Sequence, residues 1–221
     1  MGKTAILLGA SGLVGGYCLQ TLLVDPACER ITLLTRRELV AVRHPCLVQR
    51  VVNFDALTLA DFASGEVVYC ALGTTMRKAG SKEAFRHVDV EYPLVAARLG
   101  RQAGARQFVL VSSVGANAAA KNFYLRTKGE IEQDIGRMGF DGFHIFRPSL
   151  LLGKREEFRM GERLAMIFMP VLNMAMVGGL RRYRAIPAAM VGRAMVAAAR
   201  DSKDGTFVYE YDAIRKLAGS R

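Results

Sequence analysis

Cysteine, proline and acidic residues are all scarce in this sequence, and no apolar run is long enough to cross a bilayer. The four cysteines, at positions 18, 28, 46 and 70, include no C-x-x-C pair and do not cluster with histidine. That excludes a disulfide-stapled miniprotein and leaves no basis for a structural zinc site. Free thiols in a reducing cytosol are therefore expected, and the opening MGKTAILLGASG lacks the ordered regions of a secretory signal. Only 6 prolines, with 22 glycines scattered among apolar segments, exclude collagen-like repeats and wholesale disorder. The longest apolar stretch, Leu164 to Leu180, is broken by Pro170, Asn173 and Gly178-Gly179. It falls short of the roughly 20 residues that span a bilayer, so no transmembrane segment is expected. Acidic residues number 20 against 31 Lys and Arg, a net charge of +11. Such a balance favours phosphates in general without choosing among a dinucleotide, a nucleic acid and an anionic membrane.

What is present is core material. Of 221 residues, 51% are hydrophobic and 23% charged, enough for one substantial buried core. Short apolar runs recur at Thr4 to Leu8, Ile31 to Leu34, Val48 to Val52, Val67 to Leu72, Phe108 to Val111 and Phe143 to Phe146. They are continuous rather than alternating, the pattern of strands buried on both faces of a parallel sheet. Helical patterns lie between most of them. Leu13 to Val24 forms one, Lys82 to Gln102 a long one with Ser81 as N-cap and Pro93 as a kink, and Asn122 to Met138 another. After Arg147-Pro148 the pattern changes to Met-rich and Arg-rich segments, a helix over Ala188 to Arg200, a short FVYEY run and a small terminal helix. The expected architecture is α/β: a Rossmann-type, doubly wound parallel sheet in a single domain over 1–221, with 149–221 including a small C-terminal cap on the substrate side.

Three constellations carry chemistry. Gly9-Ala-Ser-Gly12-Leu-Val-Gly15 follows the first strand and opens a helix. Glycines there permit the turn, allow a pyrophosphate to approach the main chain, and let helix pack on strand. The helix N-terminus then offers unsatisfied N–H groups to the anion. Thr35-Arg36-Arg37 ends the second strand, where a dinucleotide site meets the adenosine ribose. Two guanidiniums suit a 2′-phosphate, so NADP is favoured, while Glu38 next door leaves NAD open. Tyr124 and Lys128 lie four apart on one helical face, and a nearby cation favours the phenolate, making Tyr124 a fitting general acid. Ser112 and Ser113 end the fifth strand at the sheet's ligand edge, where a hydroxyl can hold a substrate carbonyl oxygen.

In this order, GASGLVG, VSSVG, YLRTK and RPSLLLG resemble the short-chain dehydrogenase/reductase (SDR) family, and CALGTTMRKAG, FRHVDVEY and NFYLRTKGEIE are similar to its atypical, HTATIP2-like group. The resemblance runs from Lys3 to about Leu217. It implies that Gly9, Ser11, Gly12, Leu13 and Val14 contact the cofactor phosphates beside Gly15, and Arg36 and Arg37 the adenosine phosphate. Asp55 and Ala56 would meet the adenine edge, and Ala71, Leu72 and Gly73 the adenosine ribose. Pro148, Ser149 and Leu150 would flank the nicotinamide. Tyr124 and Lys128 would be the catalytic pair, Lys128 also reaching the nicotinamide ribose, with Ser113 favoured over Ser112 as the third group. The chain after Pro148 is too short for the substrate lobe of sugar-nucleotide epimerases, which points to a small substrate. The expected function is NADP-dependent hydride transfer to or from a small carbonyl or alcohol; the alternative is a redox-sensing regulator that binds NADP(H) without turnover. A homodimer is a family-level expectation, and no nucleic-acid motif is present. His44, His87 and His144 have no metal-ligand spacing, so structural or surface roles are expected. Arg181, Arg182 and Arg184 around Tyr183 read as a solvated basic loop or an anion-facing one. Met160, Met166, Met169, Met174 and Met176 read as core filling or a pliable wall for a hydrophobic substrate.

Overall fold

The computed structural model describes residues 2–63, 65–153, 176–200 and 204–219. The chain runs β1 (Lys3–Leu8), α1 (Leu13–Leu23), β2 (Cys28–Thr35), β3 (Leu47–Val51), two 3-10 turns (Phe54–Ala56 and Leu59–Phe62) and β4 (Val67–Cys70). Short helices α2 (Met76–Ala79) and α3 (Lys82–Arg86) lead through a π-helical turn (His87–Glu91) into α4 (Tyr92–Gln102). Then come β5 (Gln107–Val111), α5 (Phe123–Gly136), β6 (Gly142–Phe146) and β7 (Leu151–Leu152). A 3-10 turn (Gly178–Tyr183), β8 (Ile186–Pro187), α6 (Ala188–Arg200), β9 (Gly205–Tyr209) and α7 (Tyr211–Gly219) complete the described residues.

Seven strands form one sheet in the order β3-β2-β1-β4-β5-β6-β9, and every neighbouring pair is parallel. The doubly wound parallel architecture expected from the continuous apolar runs is the one observed. Parallel strands need crossovers, and these cover both faces, so successive residues of one strand enter two different cores. Ala5 and Leu7 of β1, Val67 and Tyr69 of β4 and Val109 of β5 face α1 and α6. Ile6, Leu8, Val68, Cys70, Phe108 and Leu110 face the other way, with Ala96 and Ala97 of α4 and Ile131 and Ile135 of α5.

Two expectations are refined. Ser81 Oγ does accept from Ala84 N at 3.0 Å, but the run to Gln102 is not one regular helix. Pro93 has no N–H and its ring crowds the carbonyl four residues earlier, on Asp89; the backbone widens into the π turn over His87–Glu91 instead of kinking. The FVYEY run becomes β9, which starts earlier, at Gly205, and lies parallel to β6 as an edge strand. With α6 packed on α1, these C-terminal elements are built into the sheet and its helical layer. Residues 154–175, including Met160, Met166, Met169, Met174 and most of the Leu164 to Leu180 stretch, lie outside the described residues. Among the described residues no helix is long and apolar enough to cross a membrane.

Candidate functional site

The strand order reverses between β1 and β4, and the crevice outside their carboxyl ends is where open α/β sheets bind ligands. The turn after β1 builds its floor. Gly9 has φ +85°, and a Cβ there would lie 2.5 Å from the Ala71 carbonyl oxygen, so the two strand ends meet only because this residue is glycine. Gly12 is the α1 N-cap, its N–H bonded to Gly9 O at 2.9 Å. The helix's first bond, Gly16 N to Gly12 O at 2.8 Å, leaves the N–H groups of Leu13, Val14 and Gly15 at the open end of α1. A Cβ on Gly15 would lie 2.2 Å from Gly9 O, so this glycine brings helix against turn. Val14 itself is buried in the core, and Leu13 packs beside Gly153, so it is the backbone amides that these two residues present at the open end of α1.

Beside this turn lies a groove lined also by Leu34, Thr35 and Arg36 from the end of β2, by Ala71, Leu72 and Gly73 after β4, and by Phe54, Val88 and Tyr92. It brings together Gly9, Ser11, Gly12, Arg36, Ala71, Leu72 and Gly73, all of them candidates named from the sequence. Phe54, Val88 and Tyr92 were not foreseen. Arg36 and Arg37 are exposed at the end of β2, and among the described residues neither forms an ion pair. Thr35 Oγ1 donates to Arg37 O at 2.8 Å and fixes the turn that carries them. Asp55 sits beside the groove on the 3-10 turn after β3, where His87 and Tyr92 hold it. Ala56 is exposed next to it.

At the other side of the β4 end stands α5. Asn122 caps it by accepting from Leu125 N at 3.1 Å, which places Tyr124 in the first turn and Lys128 one turn on. The Tyr124 ring packs on Phe85 with centroids 5.7 Å apart. Lys128 is buried, and its Nζ is 2.7 Å from Asp89 Oδ1, on the π turn. Asp89 Oδ2 accepts from Thr74 N at 2.7 Å, so one carboxylate ties α5 to the loop after β4. Burial alone would lower the Lys128 pKa; the Asp89 carboxylate, then Tyr124, outweigh burial and hold it above the usual lysine value. Asp89, a partner that the sequence did not reveal, thus favours the charged ammonium and anchors it. Cys70, buried beneath, has its thiol pushed up to about 12 by burial, which makes it inert.

The serine pair divides. Ser112 is buried and its Oγ donates to Glu132 Oε1 at 2.5 Å; Glu132 is in turn paired with Arg147, whose Nε lies 3.0 Å from Oε1. Among the described residues Ser113 Oγ has only a long contact, 3.4 Å, to Val114 O, leaving it the freer hydroxyl of the pair there. On the following loop, Pro148 O accepts from Val114 N at 3.0 Å, Ser149 Oγ donates to Arg184 O, and Leu150 is exposed while its carbonyl accepts from Ile186 N. Ser149 therefore holds the chain before β8 in place. His44 faces Cys46 at 3.0 Å, and His144 is buried against Phe207 and Tyr209. Arg181 pairs with Asp212 at 2.6 Å. Among the described residues no cluster of His, Cys, Asp and Glu could hold a metal.

These features define a class. The sheet order, with the glycine turn at its switch point, is the Rossmann-like fold of NAD-dependent epimerases and short-chain dehydrogenases. An Agrobacterium tumefaciens SDR-superfamily protein solved with bound NAD superposes with TM-score 0.70 over 95% of this chain and 78% of its own, at 14% identity. The UDP-glucuronic acid 4-epimerase of Bacillus cereus, solved with NAD, gives 0.67 over 94% and 77%, at 13% identity. No protein-family model matches the chain. In sequence it is 37% identical over 198 residues to protein HTATIP2 of Rattus norvegicus, covering 88% of this chain and 80% of the relative. It is 33% identical over 228 residues to the mitochondrial protein FMP52 of Candida albicans, covering 98% and 99%. The chain belongs to this HTATIP2 and FMP52 family. The same relatives correct one expectation: FMP52 proteins of several fungi are named as mitochondrial, against the cytosolic location inferred from free thiols and the sequence start. Free thiols report a reducing environment, which does not single out one compartment.

Proposed function

We propose that this chain is an NADP-preferring oxidoreductase that moves hydride between the nicotinamide and a small carbonyl or alcohol. The observation that carries the reading is the Thr74–Asp89–Lys128 linkage, which fastens the Tyr124 helix to the loop after β4, beside a groove lined by Arg36; among the described residues neither Arg36 nor Arg37 forms an ion pair. The residues present fit a dinucleotide: a Cβ at Gly9 or Gly15 would close the turn, and Arg36 and Arg37 suit a 2′-phosphate. When bound, the nicotinamide supplies or accepts the hydride. Leu13, Val14 and Gly15 amides, with Ser11 and Gly12, hold the pyrophosphate at the start of α1. Tyr124 gives its proton to the substrate oxygen, and Ser113 orients that oxygen by a hydrogen bond. Lys128, fixed by Asp89, supplies a steady positive field that favours the tyrosinate left behind. Pro148, Ser149 and Leu150 border the nicotinamide end.

Titration of nicotinamide fluorescence with NADPH and NADH tests the cofactor. NADPH should bind at least tenfold more tightly, a difference of about 1.4 kcal/mol. Replacing both Arg36 and Arg37 with alanine should erase that preference and leave NADH affinity in place. Tyr124→Phe should bind NADPH as the unaltered protein does and lose turnover in a carbonyl screen. Equal affinity for the two cofactors would refute the NADP preference; failure to bind either would refute the oxidoreductase reading.

A further inference from the structure

A histidine–cysteine pair lies outside the groove, at the amino end of β3. Leu47 N donates to His44 O at 3.0 Å and closes a four-residue turn, with Pro45 at the position that proline favours. Ile31 N donates to Cys46 O at 2.8 Å and fastens the turn to β2. Gln49 holds the loop before it, accepting from Leu39 N at 2.9 Å and donating to Val42 O at 2.9 Å. Within this fixed turn His44 Nδ1 lies 3.0 Å from Cys46 Sγ and 3.4 Å from Cys46 N. A backbone N–H can only donate, so Nδ1 is an acceptor here and the neutral ring carries its proton on Nε2. The Nδ1 lone pair therefore faces the thiol hydrogen, the arrangement in which an imidazole takes a thiol proton. His44 is exposed and Cys46 only partly buried, so solvent reaches both.

The charges around the pair favour a thiolate. Arg43 adjoins His44, and Arg30 stands beside Cys46 in the register that sets Ile31 opposite Leu47. Both guanidiniums are exposed, and among the described residues neither forms an ion pair. The nearby acids are turned elsewhere, Glu29 to Gly2 N at 2.7 Å and Asp25 to Arg200 at 3.0 Å. The other three thiols are placed differently. Cys18 and Cys70 are buried, which pushes the first well above the usual thiol range and the second up to about 12. Cys28 donates its S–H to Arg30 O at 3.7 Å, and burial raises it to about 11. Thiol–disulfide exchange proceeds through the thiolate, which a neighbouring imidazolium or guanidinium stabilises. We propose that Cys46 is a site of reversible covalent modification by small disulfides bearing carboxylates, with His44 as its general base. His44 Nδ1 takes the Cys46 proton as the sulfur attacks one sulfur of the disulfide. A new S–S bond forms, the old one breaks, and the departing thiolate recovers the proton from His44. Cys46 is thereby oxidised to a mixed disulfide and the leaving half is reduced to a thiol, with no net proton change. The turn lies at the amino ends of the parallel strands, away from the groove at their carboxyl ends, so the proposal does not rest on the dinucleotide reading.

The test incubates the reduced full chain with oxidised glutathione, whose halves are anionic, or with cystamine, whose halves are cationic, and follows the adduct by intact mass and peptide mapping. Oxidised glutathione should add to Cys46 before any other thiol and faster than cystamine does, and dithiothreitol should remove it. Near neutral pH, His44→Ala should slow the addition about tenfold. At about pH 9.5, where an ordinary thiol ionises without help, that variant and the unaltered protein should react alike. Cys28→Ser should react as the unaltered protein does, and alanine at both Arg30 and Arg43 should erase the preference for oxidised glutathione. A first adduct on Cys18, Cys28 or Cys70, or an unchanged rate in His44→Ala near neutrality, would overturn the proposal. Equal slowing of His44→Ala at both pH values would overturn the role of His44 as base, since a ring that only shapes the turn would act alike at each. Faster addition of cystamine would overturn the choice of anionic disulfides.

Discussion

At the scale of single residues, the Asp89–Lys128 pair decides more than any other contact at the site. Both side chains are nearly free of solvent, at 1% and 6% exposure. Removing one partner leaves the other charge buried and uncompensated, which costs about 3–5 kcal/mol, whereas replacing both with apolar groups is often near neutral. Asp89→Ala should therefore lower unfolding free energy in urea by roughly 3–5 kcal/mol, and Asp89→Ala combined with Lys128→Met should recover most of it. A double variant no more stable than the single one would show that Asp89 acts chiefly through Thr74. The pH sign follows from the Lys128 pKa being raised in the fold: the stabilisation that comes from Lys128 protonation is fully present below its unfolded value of 10.5 and is lost only as pH climbs through the higher folded value. Lys128 was legible in the sequence because it stands four residues from Tyr124. Asp89 was not, since its pairing arises only when the π turn before Pro93 packs against α5, and nothing local in FRHVDVEY marks that carboxylate as buried. His87 escaped for a similar reason: its partner Asp55 lies 32 residues away.

At the scale of elements, caps and breakers set where the catalytic pair stands. Asn122 satisfies the Leu125 amide, one of four that the start of α5 leaves open. Asn122→Ala should cost about 1 kcal/mol, seen as a lower urea midpoint at unchanged slope. Because Tyr124 lies in that first turn, turnover should fall further than NADPH affinity; equal losses in both would mean that the cap acts on the whole helix and not on the tyrosine's placement. The N-terminus of this helix was readable from Asn122, a residue type that caps. Its end was less so: the expected Met138 gives way to Gly136, since the amides of Arg137 and Met138 turn back to Asp134 and Ile135 three residues earlier and tighten the last turn. Buried strands such as β4 and β6 were evident as unbroken apolar runs. β9 was half hidden, because as an edge strand it leaves Thr206 and Val208 exposed and carries a weak apolar signal.

At the scale of the molecule, the C-terminal segment reads as a cap because the pattern changes after Arg147-Pro148 to Met-rich and Arg-rich segments. In the fold, α6 supplies Val191, Met195 and Val196, and α7 supplies Ile214, all buried to 2% exposure or less in the same core as β1 and α1. Gly192 lets α6 approach so closely that a Cβ there would lie 2.7 Å from Cys18 N. Burying four such side chains contributes roughly 8 kcal/mol at about 2 kcal/mol each, against a total stability of about 5–15 kcal/mol for a typical domain. These residues of the C-terminal segment are thus part of the core as well as of its cap, and a layer of the core is not removed without cost. A chain ending at Pro187 should consequently lose cooperative thermal unfolding and near-ultraviolet circular dichroism, and trypsin should digest it rapidly. Should the shortened chain unfold cooperatively and still bind NADPH, the sheet would be self-sufficient without α6 and β9, and the C-terminal elements would be a removable cap after all.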